Sequence, residues 1–240
     1  MHNSISLLQS SDPSGIQNLL SGLAGNYERR FYTLADAQLV VLSDTDLEWL
    51  AARIPLPRRH RVSFPGALPS KALHTNASIS RELLITGSYA WWRKRRDFRW
   101  FAAAAPEMPV VVNDPLTSSI LRDRCEVIWA DSVDWSAALR FGVVTDRFVG
   151  GFKLKVVEYI SNNCMILAFS DLRRDFEDVP HADEFIRVVR SPQDVEAVVT
   201  RIETQPRQDT LRRFREFQLA CERKFDWERC LDEAMPQTRD

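Results

Sequence analysis

Between residues 145 and 163 the chain reads TDRFVGGFKLKVVEYISNN. Gly150 and Gly151 stand together, Lys153 and Lys155 follow, and Glu158 comes shortly after. Paired glycines let a backbone approach a ligand closely and take positive φ. A helix starting just beyond them would offer free N–H groups and partial positive charge to an anion. Lysines in that first turn oppose the helix macrodipole, at a cost of about a few tenths of a kcal/mol each, and a bound anion would reverse the penalty. On a helical wheel Lys155, Glu158 and Asn162 share one face, while Val156, Val157 and Ile160 cover another. Glu158 then lies one turn deeper than the lysines, suited to accept hydrogen bonds from hydroxyls beside the anion. A phosphate joined to a sugar ring presents that combination. The same residue types also describe a plain Gly-Gly turn followed by a solvated charge face, and taken alone they favour that second reading.

The elements that would position these groups alternate from residue 82 onward. ELLITG (82–87), MPVVVND (108–114), CEVIWA (125–130), RFGVVTD (140–146), CMILAFS (164–170) and DEFIRVVR (183–190) read as strands. Between them RKRRDFRWFAAAA (93–105), SSILRD, SVDWSAAL and residues 152–162 read as helices, from apolar residues at helical spacing. The strand runs are apolar on both faces, as expected where helices cover a parallel sheet on both sides. The predicted fold class is α/β: a doubly wound, parallel, six-stranded Rossmann-like sheet over 81–190. Helices follow over 191–240, the first with Ser191 as N-cap, Pro192 at N1 and Asp194 at N3. Residues 1–66 read as a leading helix (GLAGNYERRFYTLADA) and a partial βαβ unit: QLVVLS, DTDLEWLAARI and HRVSFPG. A unit of that size buries little surface on its own. Residues 67–80 are polar and irregular and read as a linker.

With 240 residues and 45% hydrophobic content the chain can bury a substantial core, and a net charge of −1 gives no global pull toward nucleic acid or an anionic bilayer. Cations cluster locally in PRRHR (57–61) and RKRR (93–96). The interleaving in WWRKRRDFRW invites a nucleic-acid reading, but Phe98 and Phe101 belong to an apolar helix face, so a solvated basic first turn is favoured. Cys125, Cys164, Cys221 and Cys230 form no CxxC pair and suit a reducing compartment. The histidines show no metal spacing. The first residues carry no secretion signal and no run is apolar enough to span a bilayer, which predicts a cytoplasmic protein.

The order of these pieces adds to the reading. GGFKLKVVEYISNNCMILAFS resembles the nucleotide-sugar motif of retaining GT-B glycosyltransferases, the group 1 family, which runs Gly-x-Gly, basic residues, Leu-Glu-Ala, Gly, Pro-Val-Val. Glu158 stands at the motif's glutamate, Asn163 at its later glycine, and Met165 at its proline. Asn is the best non-glycine residue for a left-handed helix end. LLITGSYAWWRKRRDFRWF resembles the first strand and helix of the family's donor domain, VSFPG the strand end before the hinge, and KFDWERCLD the Trp-containing C-terminal helix. The resemblance implies that the acceptor domain is largely missing and that residues 1–66 are its remnant. It implies a nucleoside-diphosphate sugar as donor substrate, with no cofactor and no metal. Glu158 would hold the ribose. Lys153, Lys155 and the Gly150–Gly151 backbone would neutralise the diphosphate, with Gly87 and Ser88 at the end of the first strand lining the site. Asp131 follows a strand end where the base would dock, and helix N-capping explains it equally well. The acceptor would be an unknown sugar or lipid-linked sugar, with a separate acceptor-domain chain or a homo-oligomer completing the enzyme. No nucleic-acid partner is implied, and membrane contact would be peripheral, at the inner face. The alternative is a truncated, non-catalytic relative that binds nucleotide sugars or a partner chain.

Overall fold

Leu39, Val40 and Val41 form the first strand of the computed structural model, which describes residues 39–41, 43–52, 60–62, 69–148 and 152–234. The predicted leading helix lies outside the described residues. The chain divides into two units. The first comprises 1–66, 148–153 and 225–240. In it β1 (Leu39–Val41) runs parallel to β2 (His60–Val62), and α1 (Asp44–Ala51) follows β1. Ser43 starts α1 by accepting the Asp46 amide at 3.1 Å, while its hydroxyl donates to Asp46 Oδ2 at 3.0 Å. An N-cap of this kind satisfies a backbone donor that the helix itself leaves open.

The second unit comprises 67–147 and 154–224. Its elements are β3 (Ser78–Ile85), α2 (Trp92–Ala103), β4 (Val110–Val112), α3 (Pro115–Leu121), β5 (Val127–Trp129), β6 (Ala138–Val144), α4 (Leu154–Ser161), β7 (Cys164–Ala168), α5 (Ala182–Phe185), β8 (Ile186–Val188), α6 (Pro192–Glu203) and α7 (Arg207–Lys224). A final helix, α8 (Trp227–Ala234), falls in the first unit. The sheet is six-stranded and wholly parallel, in the order β5-β4-β3-β6-β7-β8. This is the doubly wound topology the alternation predicts. Every residue of β4, β6 and β7 is buried, which is why those strands read as unbroken apolar runs rather than alternating ones.

Three local expectations give way. SVDWSAAL is not a helix: one 3-10 turn (Ala130–Ser132) follows β5, and Ala138 already belongs to β6. Asp134 closes a turn there by accepting the Ser136 amide at 2.9 Å, and the Ser78 amide takes the Ala137 carbonyl at 3.1 Å. Tertiary strand pairing thus overrides a helical pattern. For the same reason β3 begins at Ser78, within the stretch read as a linker. The run 183–190 splits into α5 and β8, because His181 enters a left-handed conformation (φ 62°) and its carbonyl takes the Glu184 and Phe185 amides. The Ser191–Asp194 capping box of α6 is formed as predicted.

Candidate functional site at the sheet switch point

In an open parallel sheet the ligand crevice lies beyond the carboxyl ends of the strands, where the winding reverses. Here that point falls between β3 and β6. Their pairing ends at Leu84–Gly142, whereas β6 continues beside β7 as far as Val144–Ala168. Thr86 and Gly87 leave one lip and Thr145 and Asp146 the other, and Thr86, Thr145 and Asp146 are all buried. Gly87 has φ 98°, a conformation that excludes most side chains, and open space where a Cβ would be. Its amide donates to Asn113 Oδ1 at 3.2 Å.

Two buried tyrosines pack beside these strand ends. Tyr89 is 1% exposed and packs on Phe98 with ring centroids 4.4 Å apart. Burial pushes its phenol well above the ordinary range, and its hydroxyl faces that of Thr145. Tyr159, fully buried on α4, accepts the Thr86 amide at 2.8 Å, and burial likewise keeps its phenol neutral.

Lys155 lies in the first turn of α4, half-buried, with Nζ 5.5 Å from the Tyr89 ring centroid. Desolvation lowers its pKa, and the charges of Asp146 and Glu158 act in the opposite sense. Glu158 stands on the exposed face of the same helix; partial desolvation raises its carboxyl, and Lys155 pulls it back. A cation held near an aromatic face inside low-dielectric surroundings interacts strongly with any anion that reaches it.

The remaining predicted site residues distribute unevenly. α4 begins at Leu154 rather than 152, so Lys153 precedes the helix instead of sharing its first turn. Lys153 belongs to the first unit, with Nζ 4.6 Å from the Phe148 ring, and its charge acts on buried Asp46 there. Gly150 and Gly151 lie outside the described residues. Ser88 is exposed, and its hydroxyl accepts the Ala90 amide at 3.2 Å. Asp131 is exposed in the turn after β5, an edge strand that lies two strands from β3, about 10 Å at ordinary strand spacing.

The basic run is only partly solvated: Arg96 is exposed, but Arg93 and Arg95 are engaged by their neighbours. Arg93 is 3% exposed, with its guanidinium 5.8 Å and 5.5 Å from the Trp91 and Trp92 rings. Arg95 donates to the carbonyls of Tyr89 and Ala90 at 3.2 and 3.0 Å, pinning the loop after β3. Buried Asp97 accepts the Arg147 amide at 3.1 Å and pairs with the guanidinium groups of Arg147 (3.4 Å) and Arg96 (3.2 Å). It therefore ties α2 to the loop after β6. Sequence reasoning missed Thr86, Tyr89 and Tyr159. The available signal was Gly142 inside an apolar run, since a glycine within a strand marks close approach by another group.

The sequence matches no protein-family model and no curated protein. Solved structures do share the architecture. TarM superposes with a TM-score of 0.59 at 9% identity, over 88% of this chain and 45% of its own. The pneumococcal O-GlcNAc transferase GtfA, crystallised with UDP and GlcNAc, gives 0.54 at 16% identity, over 87% and 46%. HepE of Anabaena in complex with UDP gives 0.59 at 15% identity, over 92% and 67%. The fold is that of a GT-B glycosyltransferase. The chain spans about half the length of TarM and GtfA. In GT-B terms the six-stranded sheet is a Rossmann-like α/β domain. Among the described residues no helix is long and apolar enough to cross a membrane, and no group of three or more His, Cys, Asp or Glu side chains could hold a metal ion.

Proposed function

We propose that this chain carries the donor site of a retaining glycosyltransferase and binds a nucleoside-diphosphate sugar at the β3–β6 switch point. The observation that carries the reading is Lys155, held half-buried over Tyr89 at the start of α4, with Glu158 one turn further on. Lys155 and the α4 N-terminus meet the negative charge that grows on the diphosphate as the sugar C1–O bond breaks. Fixed donors in a water-poor crevice are effective there because they need no reorganisation during the reaction. Glu158 accepts the ribose hydroxyls, and Gly87 leaves room for the ligand to approach the backbone. The protein's own cations serve in place of a metal. The UDP complexes of GtfA and HepE support a nucleotide ligand. An acceptor hydroxyl, from a sugar or a lipid-linked sugar, replaces the diphosphate on C1, with a second chain or second copy supplying contacts to it.

Calorimetry with UDP, GDP and ADP tests donor binding. A charge-assisted hydrogen bond contributes about 1.5–3 kcal/mol, so Lys155→Ala and Glu158→Ala should each weaken binding roughly tenfold or more. Unchanged affinity in both variants would overturn the assignment.

A further inference from the structure

Gly142 sits in the middle of β6, a fully buried strand. A Cβ there would lie 2.3 Å from Tyr159 Cδ2 and 2.7 Å from Cγ. Glycine at 142 is therefore the condition for the Tyr159 ring to lie against the sheet. The ring is 0% exposed, and a phenol oxygen in such a place is costly unless hydrogen-bonded. Its partner is the Thr86 amide, one residue past the end of β3 and two past the last β3–β6 pair. A strand amide at that place would ordinarily look to a neighbouring strand for its acceptor.

We propose that Tyr159 is a positioning residue of the switch-point site: its phenol oxygen stands in for a strand carbonyl, ends the β3–β6 ladder early and fixes the Thr86–Gly87 turn that faces the ligand. The inference rests on the donor-site reading for its ligand, but the latch itself is a property of the free chain. The turn has one anchor at Thr86 on Tyr159 and another at Gly87 on Asn113. A Cβ at Gly87 would meet no atom within 4 Å.

The test compares the full chain with Tyr159→Phe, which keeps the ring volume and removes the acceptor, and with Lys155→Ala. Amide hydrogen exchange resolved to single residues and UDP calorimetry are read on all three. In Tyr159→Phe the Thr86 and Gly87 amides should exchange roughly tenfold faster, with the Leu83 and Phe141 amides unchanged, and UDP affinity should fall roughly tenfold. Unchanged exchange at Thr86 overturns the latch whatever the ligand does. Lost UDP binding in Lys155→Ala alongside native affinity in Tyr159→Phe overturns the positioning role and leaves the donor site standing. If the native chain binds none of UDP, GDP or ADP, the donor reading falls, and faster Thr86 exchange in Tyr159→Phe still establishes the latch.

Discussion

Gly142→Ala adds one methyl group directly against a buried ring. The new Cβ would meet three atoms of Tyr159 at 2.3, 2.7 and 3.0 Å, all shorter than a carbon–carbon contact. Neither side can yield easily: the strand is buried along its length, and the ring is buried and tethered by its hydroxyl. Overpacking of this kind costs about 1–3 kcal/mol. Replacing glycine also narrows the unfolded ensemble, which returns about 0.4–1 kcal/mol. The net expectation is a loss of about 1–2 kcal/mol in urea unfolding. For a domain of this size that is a fall in Tm of about 3–6 °C. The clash has one partner, so the sign should reverse once the ring is removed. In a Tyr159→Ala background, Gly142→Ala should stabilise by about 0.4–1 kcal/mol, giving a coupling energy of about 1–3 kcal/mol. Gly142→Ala raising the urea midpoint in the otherwise native chain would refute the reasoning.

Asp97→Ala leaves the Arg147 amide without its acceptor and removes the carboxylate shared by Arg147 and Arg96. With Arg147 partly in solvent, a loss of about 2–3 kcal/mol is expected, and Asp97→Asn should lose less; equal losses in urea unfolding would contradict this account. Glu216 is held below its ordinary value of 4.5, first by the hydrogen bond to His181 and then by Arg212. The unfolded chain therefore binds the proton first as pH falls, and stability from this group is present above the ordinary glutamate range and lost on acidification. Thermal midpoints measured across acid pH should flatten in Glu216→Gln, and an unaltered acid slope would exclude the contribution.

Where local chemistry decided the outcome, the sequence was legible. Apolar runs such as MILA became buried strands, and Ser191 and Asp194 formed their capping box. Asn163, aligned with a family glycine, takes φ 57° at the end of α4, and its amide nitrogen bonds the Trp135 carbonyl at 2.9 Å while its oxygen accepts Gln218 Nε2 at 2.8 Å. Where a distant segment decided it, the reading went astray. Ala138 and Leu139 suit a helix by spacing, but they are claimed by Ser78 and Ile79 on β3. Arg93 and Arg95 look like solvated charge, yet one is covered by tryptophan rings and the other is fastened to loop carbonyls. The spacing of Lys155 and Glu158 put both on one helix, as they are. Tyr159 was counted only as part of that helix, because its partners Thr86 and Gly142 come from strands far away in the chain.

The central position of β3 also shapes how the molecule must assemble. One flank of β3 is completed by β4, the next strand to be synthesised, but the other waits for β6, after two further helices and two strands. Until β6 emerges, Leu83 and Leu84 have half of their ladder open, and contacts that join distant segments form slowly. The half-made sheet is thus exposed to wrong pairing during translation until β6 completes it.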